Sequence, residues 1–383
     1  MPVYDVIVVG AGTVGSATCM ELARRGLSVL GLDAYRPPHL LASHHGESRS
    51  IRRAYLEGTV YVPMVQQAWE LWHKLESDTR IKLLTLTGNI TIGPGDAPAV
   101  QGFLTSARRY DIPHELLTAV DVRRRWPQLT PADNFMAGLE MEAGVIAPER
   151  ALVAMLAEAE KAGAVMRFDE RVQGWRDDGN HVHVQSSRGT YEAGRVLLST
   201  GAGALPLLGT MGKWLMPKRV PVHWVAPPKA RSFDLGILPV NFWQLPVTDM
   251  TDSEAFYEYY ALPITSSGGR VKVAAHNHLT DGDPSQVDRQ VAPEEVAAIR
   301  RFMKNYIPSL ALNDIGSDVC FYAMTPDGDF IIGPLPGYPN VFTVALAGHG
   351  FKFAPVLGEI MADMLEGKKP VFDVARFSPE RFD

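Results

Sequence analysis

Between Ser43 and Arg53 the chain reads Ser-His-His-Gly-Glu-Ser-Arg-Ser-Ile-Arg-Arg, with two histidines and three arginines in eleven residues. Guanidinium groups bind planar anions through paired, charge-assisted hydrogen bonds, so this loop can hold a carboxylate or a phosphate. Arg49, Arg52 and Arg53 are spaced so that a helix would gather them on one face. A solvated basic face, or contacts to phosphates alone, would use the same residues. No metal is expected at His44 and His45, because adjacent histidines without carboxylate or cysteine support seldom converge on zinc. Cys320 is the other reactive side chain. A thiolate is a nucleophile when nearby arginines favour it, but a cysteine is as often a small buried core residue. Cys19, inside an apolar helical run, reads as packing.

The choice depends on what precedes the loop. Tyr4 to Val9 is a short β-branched run that fits a strand buried on both faces. Gly10-Ala-Gly12-Thr-Val-Gly15 follows at once, then a helical stretch from Gly15 to Arg25 that Gly26 ends. Ser28 to Asp33 reads as a second strand closing on an acid, 18 residues after Gly15. Gly10 permits the tight turn, Gly12 lets backbone approach a pyrophosphate, and Gly15 lets helix and strand pack closely. The helix N-terminus offers N–H groups to phosphates, and Asp33 can accept ribose hydroxyls. This is a dinucleotide site, and the motif alone does not separate NAD from FAD. Placed directly after it, the basic loop reads as a cationic wall beside the cofactor and its substrate.

The remaining chain returns to this sheet twice. Ala147 to Ala162 reads as a helix ended by Gly163. Val165–Phe168, Val172–Trp175, His181–Gln185 and Arg195–Thr200 read as strands, with turns at Asp178-Gly179 and Arg188-Gly189. Val341 to Ala347 is a further strand, Gly348 to Lys352 a turn, and Pro355 to Leu365 a helix stopped by Gly367. The expected organisation is a discontinuous α/β domain over 1–83, 147–217 and 318–383. The insertions 84–146 and 218–317 would form one β-rich domain over the cofactor. A length of 383 residues suits two domains. A formal charge of −6 argues against a nucleic-acid binder. Two cysteines allow neither a disulfide framework nor a four-cysteine zinc site, and point to a reducing, cytoplasmic setting. No apolar run is long enough for a membrane span, and no basic segment precedes the first apolar run as in a secretory signal. Arg123 to Arg125 read as a solvated helix face, and His181 and His183 as surface residues.

Gly10 to Ala17 (GAGTVGSA), Asp33 to Tyr55 (DAYRPPHLLASHHGESRSIRRAY) and Thr59 to Met64 together resemble the monomeric sarcosine oxidase and N-methyltryptophan oxidase family. Gly348 to Ile360 (GHGFKFAPVLGEI) matches the family's closing motif, and Asp318-Val-Cys320 with Asp329-Phe-Ile-Ile its flavin-attachment segment. Arg125–Pro127, Tyr259–Pro263 and Val271–His276 are shorter matches. The resemblance implies a Rossmann-like FAD-binding domain of the D-amino-acid oxidase type with a second, β-rich substrate domain. It implies FAD linked through its 8α-methyl to Cys320. It implies that Arg52 and Lys352 hold a substrate carboxylate, and that His45, Arg49, Tyr260, Lys272 and His276 line flavin and substrate. Asp33, His44, Val172 and Gly348 would be cofactor contacts, and Lys272 the oxygen-activating cation. The implied reaction is hydride transfer from a small N-alkyl amino acid to FAD, imine hydrolysis, and reoxidation by O2 to H2O2 in a monomer.

The departures from the family pattern fall mostly around the substrate. Gly203 stands where Trp is frequent, Ser48 where Thr is usual, and Tyr259–Pro263 reads YYALP for YYGFP. Phe242 takes the place of a Met or Thr, beside Trp243, and either could wall the pocket. The ending Phe377 to Phe382 lies nearer the N-methyltryptophan branch, which tips the expected substrate slightly that way. A flavin dehydrogenase with another electron acceptor, and a non-catalytic dinucleotide-binding module, are the competing readings.

Overall fold

A computed structural model describes residues 3–203, 205–247, 255–265, 268–277, 279–282 and 289–382. Val6 to Val9 are buried on both faces, which is why this run makes the centre of a parallel sheet. Val3–Val9 pairs in parallel with Val29–Leu32 on one side and Thr190–Leu198 on the other. Val165–Arg167 extends the sheet beyond Val29–Leu32, and Tyr338–Ala345 runs parallel to Thr190–Leu198. Ile331–Leu335 pairs antiparallel with Tyr338–Ala345, and Val172–Asp177, Val182–Ser186 and Thr190–Leu198 form an antiparallel meander. One eight-stranded sheet is thus assembled from three separated stretches of chain. The helices Thr13–Arg24 and Ala354–Leu365 cross on one face, where a side chain on Gly358 would meet the Ala17 backbone at 2.9 Å.

A second sheet has nine strands among the described residues and draws on both inserted stretches. Its inner order runs Met216–Val225, Val271–Ala275, Phe256–Leu262, Val240–Pro246, Asn89–Pro94, Phe135–Glu140 and Glu115–Thr118. Ile315–Met324 pairs along the whole length of Met216–Val225. The expected divisions at 217/218 and 317/318 therefore fall inside strands. Side chains alternate between the faces of a strand. Ile90, Ile92, Trp243, Ala261, Val271 and Val273 face a helix, Pro293–Tyr306, and make a closed core with its Phe302 and Met303. The opposite face carries Val240, Phe242, Tyr260, Lys272 and Cys320. Trp243 is thus core, edge-on to Phe302 and tilted against Tyr306, while Phe242 takes the other face.

The basic loop departs from the helical expectation. Arg49–Ile51 is a strand, antiparallel to Gly144–Ile146, which in turn pairs with Leu84–Leu86. Gly46, the neighbouring serines and Ile51 disfavour a helix, and a partner strand supplies the backbone hydrogen bonds. The three arginines consequently separate. Arg53 turns away to pair with Glu140 and Glu142. Arg123, Arg124 and Arg125 pair with surface acids, as do His181 and His183. Cys19 is fully buried, and burial pushes its thiol up to about 12, which leaves it inert.

Glu140 fastens the end of the loop. Its buried carboxylate accepts from the backbone N–H of Arg53 at 3.1 Å and of Ala54 at 2.9 Å. Burial pushes this carboxyl up, and those N–H groups pull against the rise. Glu140→Gln turns one acceptor oxygen into a donor facing donors. Charged hydrogen bonds of this kind are worth about 1.5–3 kcal/mol, so urea unfolding of the variant is expected to show a loss of about 2 kcal/mol. A loss under about 0.5 kcal/mol would mean that the loop is held by other contacts.

Candidate functional site

Both sheets wall one continuous cavity. Its first end is built by the glycine turn. Gly10 has φ +93°, and a Cβ there would lie 2.6 Å from the Ser199 carbonyl oxygen. Gly15 does not line the cavity. A Cβ on it would fall 1.8 Å from the Gly10 oxygen, so its role is to let the helix start against the turn. Gly12 precedes the helix without a side-chain cap, leaving the first N–H groups free for an anion. Asp33 Oδ2 accepts from Ala11 N at 2.8 Å and Oδ1 from Tyr35 N at 3.0 Å, while the residue still faces the cavity. Burial pushes its carboxyl up, against those N–H donors. His44 is neutral, with burial pushing its imidazole down to about 3. Val172, Gly203 and Gly348 complete this wall. A tight uncapped turn, an open glycine approach and a strand-end carboxylate fit the pyrophosphate and ribose of a dinucleotide.

The middle is a basic knot of backbone oxygens. Arg49 donates to the Ser43 and His45 carbonyls at 2.6 Å each and to Ser48 O at 2.8 Å. Lys272 Nζ donates to Gly46 O at 2.8 Å and Ser48 O at 3.0 Å. Burial, helped by Arg49, pushes the Lys272 ammonium down to about 7. Cys320 Sγ lies 3.8 Å from Arg49 Nη2 and 3.6 Å from the Ser43 and His45 oxygens. His45 itself does not line the cavity. Its Nε2 meets Asp318 Oδ2 at 2.9 Å, bracing the strand that carries Cys320.

The far end holds Arg52 and Lys352. The Arg52 guanidinium lies over the Phe242 ring at 5.8 Å and pairs with both oxygens of Glu57 at 2.8 and 3.0 Å. Burial opposes ionisation of Glu57, but Arg52, His349 and Lys352 outweigh it and hold the carboxyl down to about 2. Lys352 Nζ donates to His349 O at 2.8 Å and lies 3.4 Å from Tyr55 OH. His349 Nε2 is 3.1 Å from the Gly328 carbonyl, so Nε2 carries the proton and Nδ1 accepts from Tyr55 OH at 2.6 Å. His276 stands edge-on to Phe242, with Tyr260 and Tyr322 nearby, and burial pushes its imidazole down. A pair of cations in an aromatic pocket is suited to a carboxylate.

Fourteen of the expected residues face this space: Gly10, Gly12, Asp33, His44, Arg49, Arg52, Val172, Phe242, Tyr260, Lys272, His276, Cys320, Gly348 and Lys352. Sequence reasoning passed over Tyr55, Glu57, His349 and Asn89. Glu57 and Tyr55 follow Arg52 closely, and His349 sits inside the tail motif, so proximity to singled-out residues was their signal. Asn89 opens the strand Asn89–Pro94, where it and Thr91 are polar residues buried among Ile90 and Ile92.

A family model described as FAD dependent oxidoreductase matches residues 5–364. Monomeric sarcosine oxidase of Streptomyces avermitilis is 35% identical over 382 residues, covering 99% of this chain and 98% of that one. N-methyl-L-tryptophan oxidase of Citrobacter koseri is 34% identical, covering 99% of each. Among solved structures, the amino acid oxidase NikD superposes with a TM-score of 0.86 at 23% identity, covering 99% of this chain and 98% of NikD. L-proline dehydrogenase of P. horikoshii superposes with a TM-score of 0.83 at 21% identity, covering 100% and 98%. These two likenesses are of fold.

Lys352 gives the site a pH signature. Burial first, then Arg52 and Arg49 against Glu57, push its ammonium down to about 7. An arriving carboxylate favours the charged form, so binding takes up a proton above that pH. Calorimetric titration with propionate is expected to give a Kd that is flat below about pH 7 and weakens by up to tenfold per unit above it. Lys352→Met is expected to bind about 2 kcal/mol more weakly, with the pH dependence gone. A pH-independent Kd in the native protein would remove Lys352 from the anion seat.

Proposed function

This chain belongs to the FAD-dependent oxidoreductase family, and from that premise we propose that it oxidises a secondary, N-alkyl amino acid with dioxygen as electron acceptor. One observation carries the reading: a single cavity joins a dinucleotide cradle to a buried pair of cations beside an aromatic wall. FAD, when bound, would accept the hydride from the substrate carbon and return the electrons to dioxygen. Gly10, Gly12 and the helix N-terminus would receive its pyrophosphate, and Asp33 its ribose. Cys320 is the proposed point of covalent attachment, with Arg49 near its sulfur.

The protein's own contribution is position and charge. Arg52 and Lys352 take the substrate carboxylate, which fixes the amino acid and its reacting C–H bond. Two neighbouring positive charges also favour the neutral amine, the form whose lone pair can assist hydride loss. Phe242, Tyr260 and His276 exclude water around it. The imine product leaves and takes up water to give a carbonyl compound and an amine. Lys272, fixed by two carbonyls, offers a cation to dioxygen as it gains negative charge on the way to hydrogen peroxide. The stretches 1–83, 147–217 and 318–383 would form the cofactor domain and the stretches 84–146 and 218–317 the substrate domain, with the borders shifted so that the strands Met216–Val225 and Ile315–Met324 fall whole on the substrate side. The enzyme would work as a monomer in the cytoplasm. Phe242 offers a face for an aromatic side chain, which favours an N-methyltryptophan-like substrate over sarcosine.

Peroxide formation coupled to oxidation of sarcosine, N-methylalanine and N-methyltryptophan tests the reaction. The expected order of kcat/KM places N-methyltryptophan first and any primary amino acid last. A preference for sarcosine would reverse the side-chain assignment, and electron transfer to a dye without peroxide would make the protein a dehydrogenase. Covalent attachment is checked separately by acid precipitation. Native protein is expected to keep its yellow colour in the pellet and Cys320→Ser to release it all. Colour retained by Cys320→Ser would place the link elsewhere.

A further inference from the structure

Asn89 is 1% exposed, yet neither its amide oxygen nor its amide nitrogen has a hydrogen-bond partner among the described residues. It lies on the cavity wall. Its backbone is in the sheet ladder, opposite Val240 on one side and Glu140 on the other, so no turn explains an asparagine there. Asparagine is also a poor strand former. Val240 and Phe242 share its face of the sheet, and Phe242 lies under the Arg52 guanidinium. The amide therefore stands on the strand next to that of Phe242, which places it by the Arg52 end of the cavity. Arg52 Nε, in the same wall, likewise has no partner among the described residues.

We propose that Asn89 reads the substrate side chain, its amide binding a hydrogen-bonding group there, a role that rests on the reading of this cavity as an amino-acid site. A buried amide left unpaired is costly, and a ligand that completes its hydrogen bonds recovers that cost. An apolar group of the same shape leaves the cost standing. Such sites discriminate strongly against the analogue that lacks the polar group. The substrate class is thus an N-alkyl amino acid whose side chain presents an N–H or O–H donor at its tip, as carboxamide, hydroxyl or indole groups do. Val240 and Phe242 form the apolar sleeve through which that tip passes.

Succinamate and 4-methylpentanoate test this directly. They are isosteric carboxylates without an amine, one ending in an amide and the other in two methyls, and neither can be oxidised by loss of hydride beside nitrogen. Titrated into the flavin-loaded protein and followed by flavin absorbance, succinamate is expected to bind at least about tenfold more tightly. Asn89→Leu, close in volume, and Asn89→Val, a better strand former, are both expected to erase or invert that ratio. The kcat/KM ratio of N-methylasparagine to N-methylleucine is expected to change in the same direction. Equal affinities in the native protein, a preference that both variants keep, or no absorbance change with either carboxylate would overturn the role of Asn89. Discrimination between the carboxylates without oxidation of either N-methyl amino acid would uphold Asn89 and overturn the amine-oxidation reading instead.

Discussion

The site depends on two cations, the half-buried Arg49 and the buried Lys272, clasped by the carbonyls of one short loop. Arg49 takes the oxygens of Ser43, His45 and Ser48, and Lys272 takes those of Gly46 and Ser48. Arg49 belongs to the loop that leaves the nucleotide-binding unit, and Lys272 to the second sheet. Removing such charges from water costs several kcal/mol each unless fixed dipoles replace the solvent. Here the backbone supplies those dipoles, and in doing so locks the loop to a strand 224 residues away. The sulfur of Cys320, the cradle behind it and the anion pocket in front all take their relative positions from this clasp.

Charge elsewhere in the cavity follows the same economy. Arg52 and Glu57 hold each other in the far end, so the pocket carries a counterion of its own. Among the described residues the hydrogen-bond partners of Lys352 are neutral, the His349 carbonyl and the Tyr55 hydroxyl, and it is the more easily discharged of the two cations. His44, His276 and His349 are all driven toward the neutral form by burial. The positive field that a carboxylate would meet comes from guanidinium and ammonium groups, with imidazoles serving as shape and as hydrogen-bond partners.

The nucleotide half was legible in the sequence because local backbone geometry demands particular residues. Gly10 needs a positive φ, Gly15 has no room for a side chain, and Asp33 ends its strand beside the turn. The order strand, glycines, helix, strand, acid could therefore be read without tertiary knowledge. The place of the basic loop is legible in the sequence but its strand is not, since the ladder that makes Arg49–Ile51 a strand comes from Gly144–Ile146, far along the chain. Arg53 was lost to the site for the same reason, its partners Glu140 and Glu142 being distant in sequence. Phe242 and Trp243 are neighbours whose fates differ only through strand alternation, and register was not knowable before the partner strands were. His45 supports the cysteine strand through Asp318, a contact that only folding creates.

The thrice-entered sheet has a consequence for how the protein is made. Tyr55 and Lys352 meet across 297 residues, and Trp72 caps the Lys352 carbonyl from nearly as far. During synthesis the cradle of Gly10, Gly12 and Asp33 leaves the ribosome early, but the strand Tyr338–Ala345 that flanks Thr190–Leu198 emerges last of the parallel set. Until that strand is made, a nascent chain leaves apolar sheet edges exposed, because their closure is long-range. Cofactor loading and pocket completion are thereby coupled in time, because the cavity gains its last wall only when Tyr338–Ala345 and the Gly348 to Lys352 turn have been made.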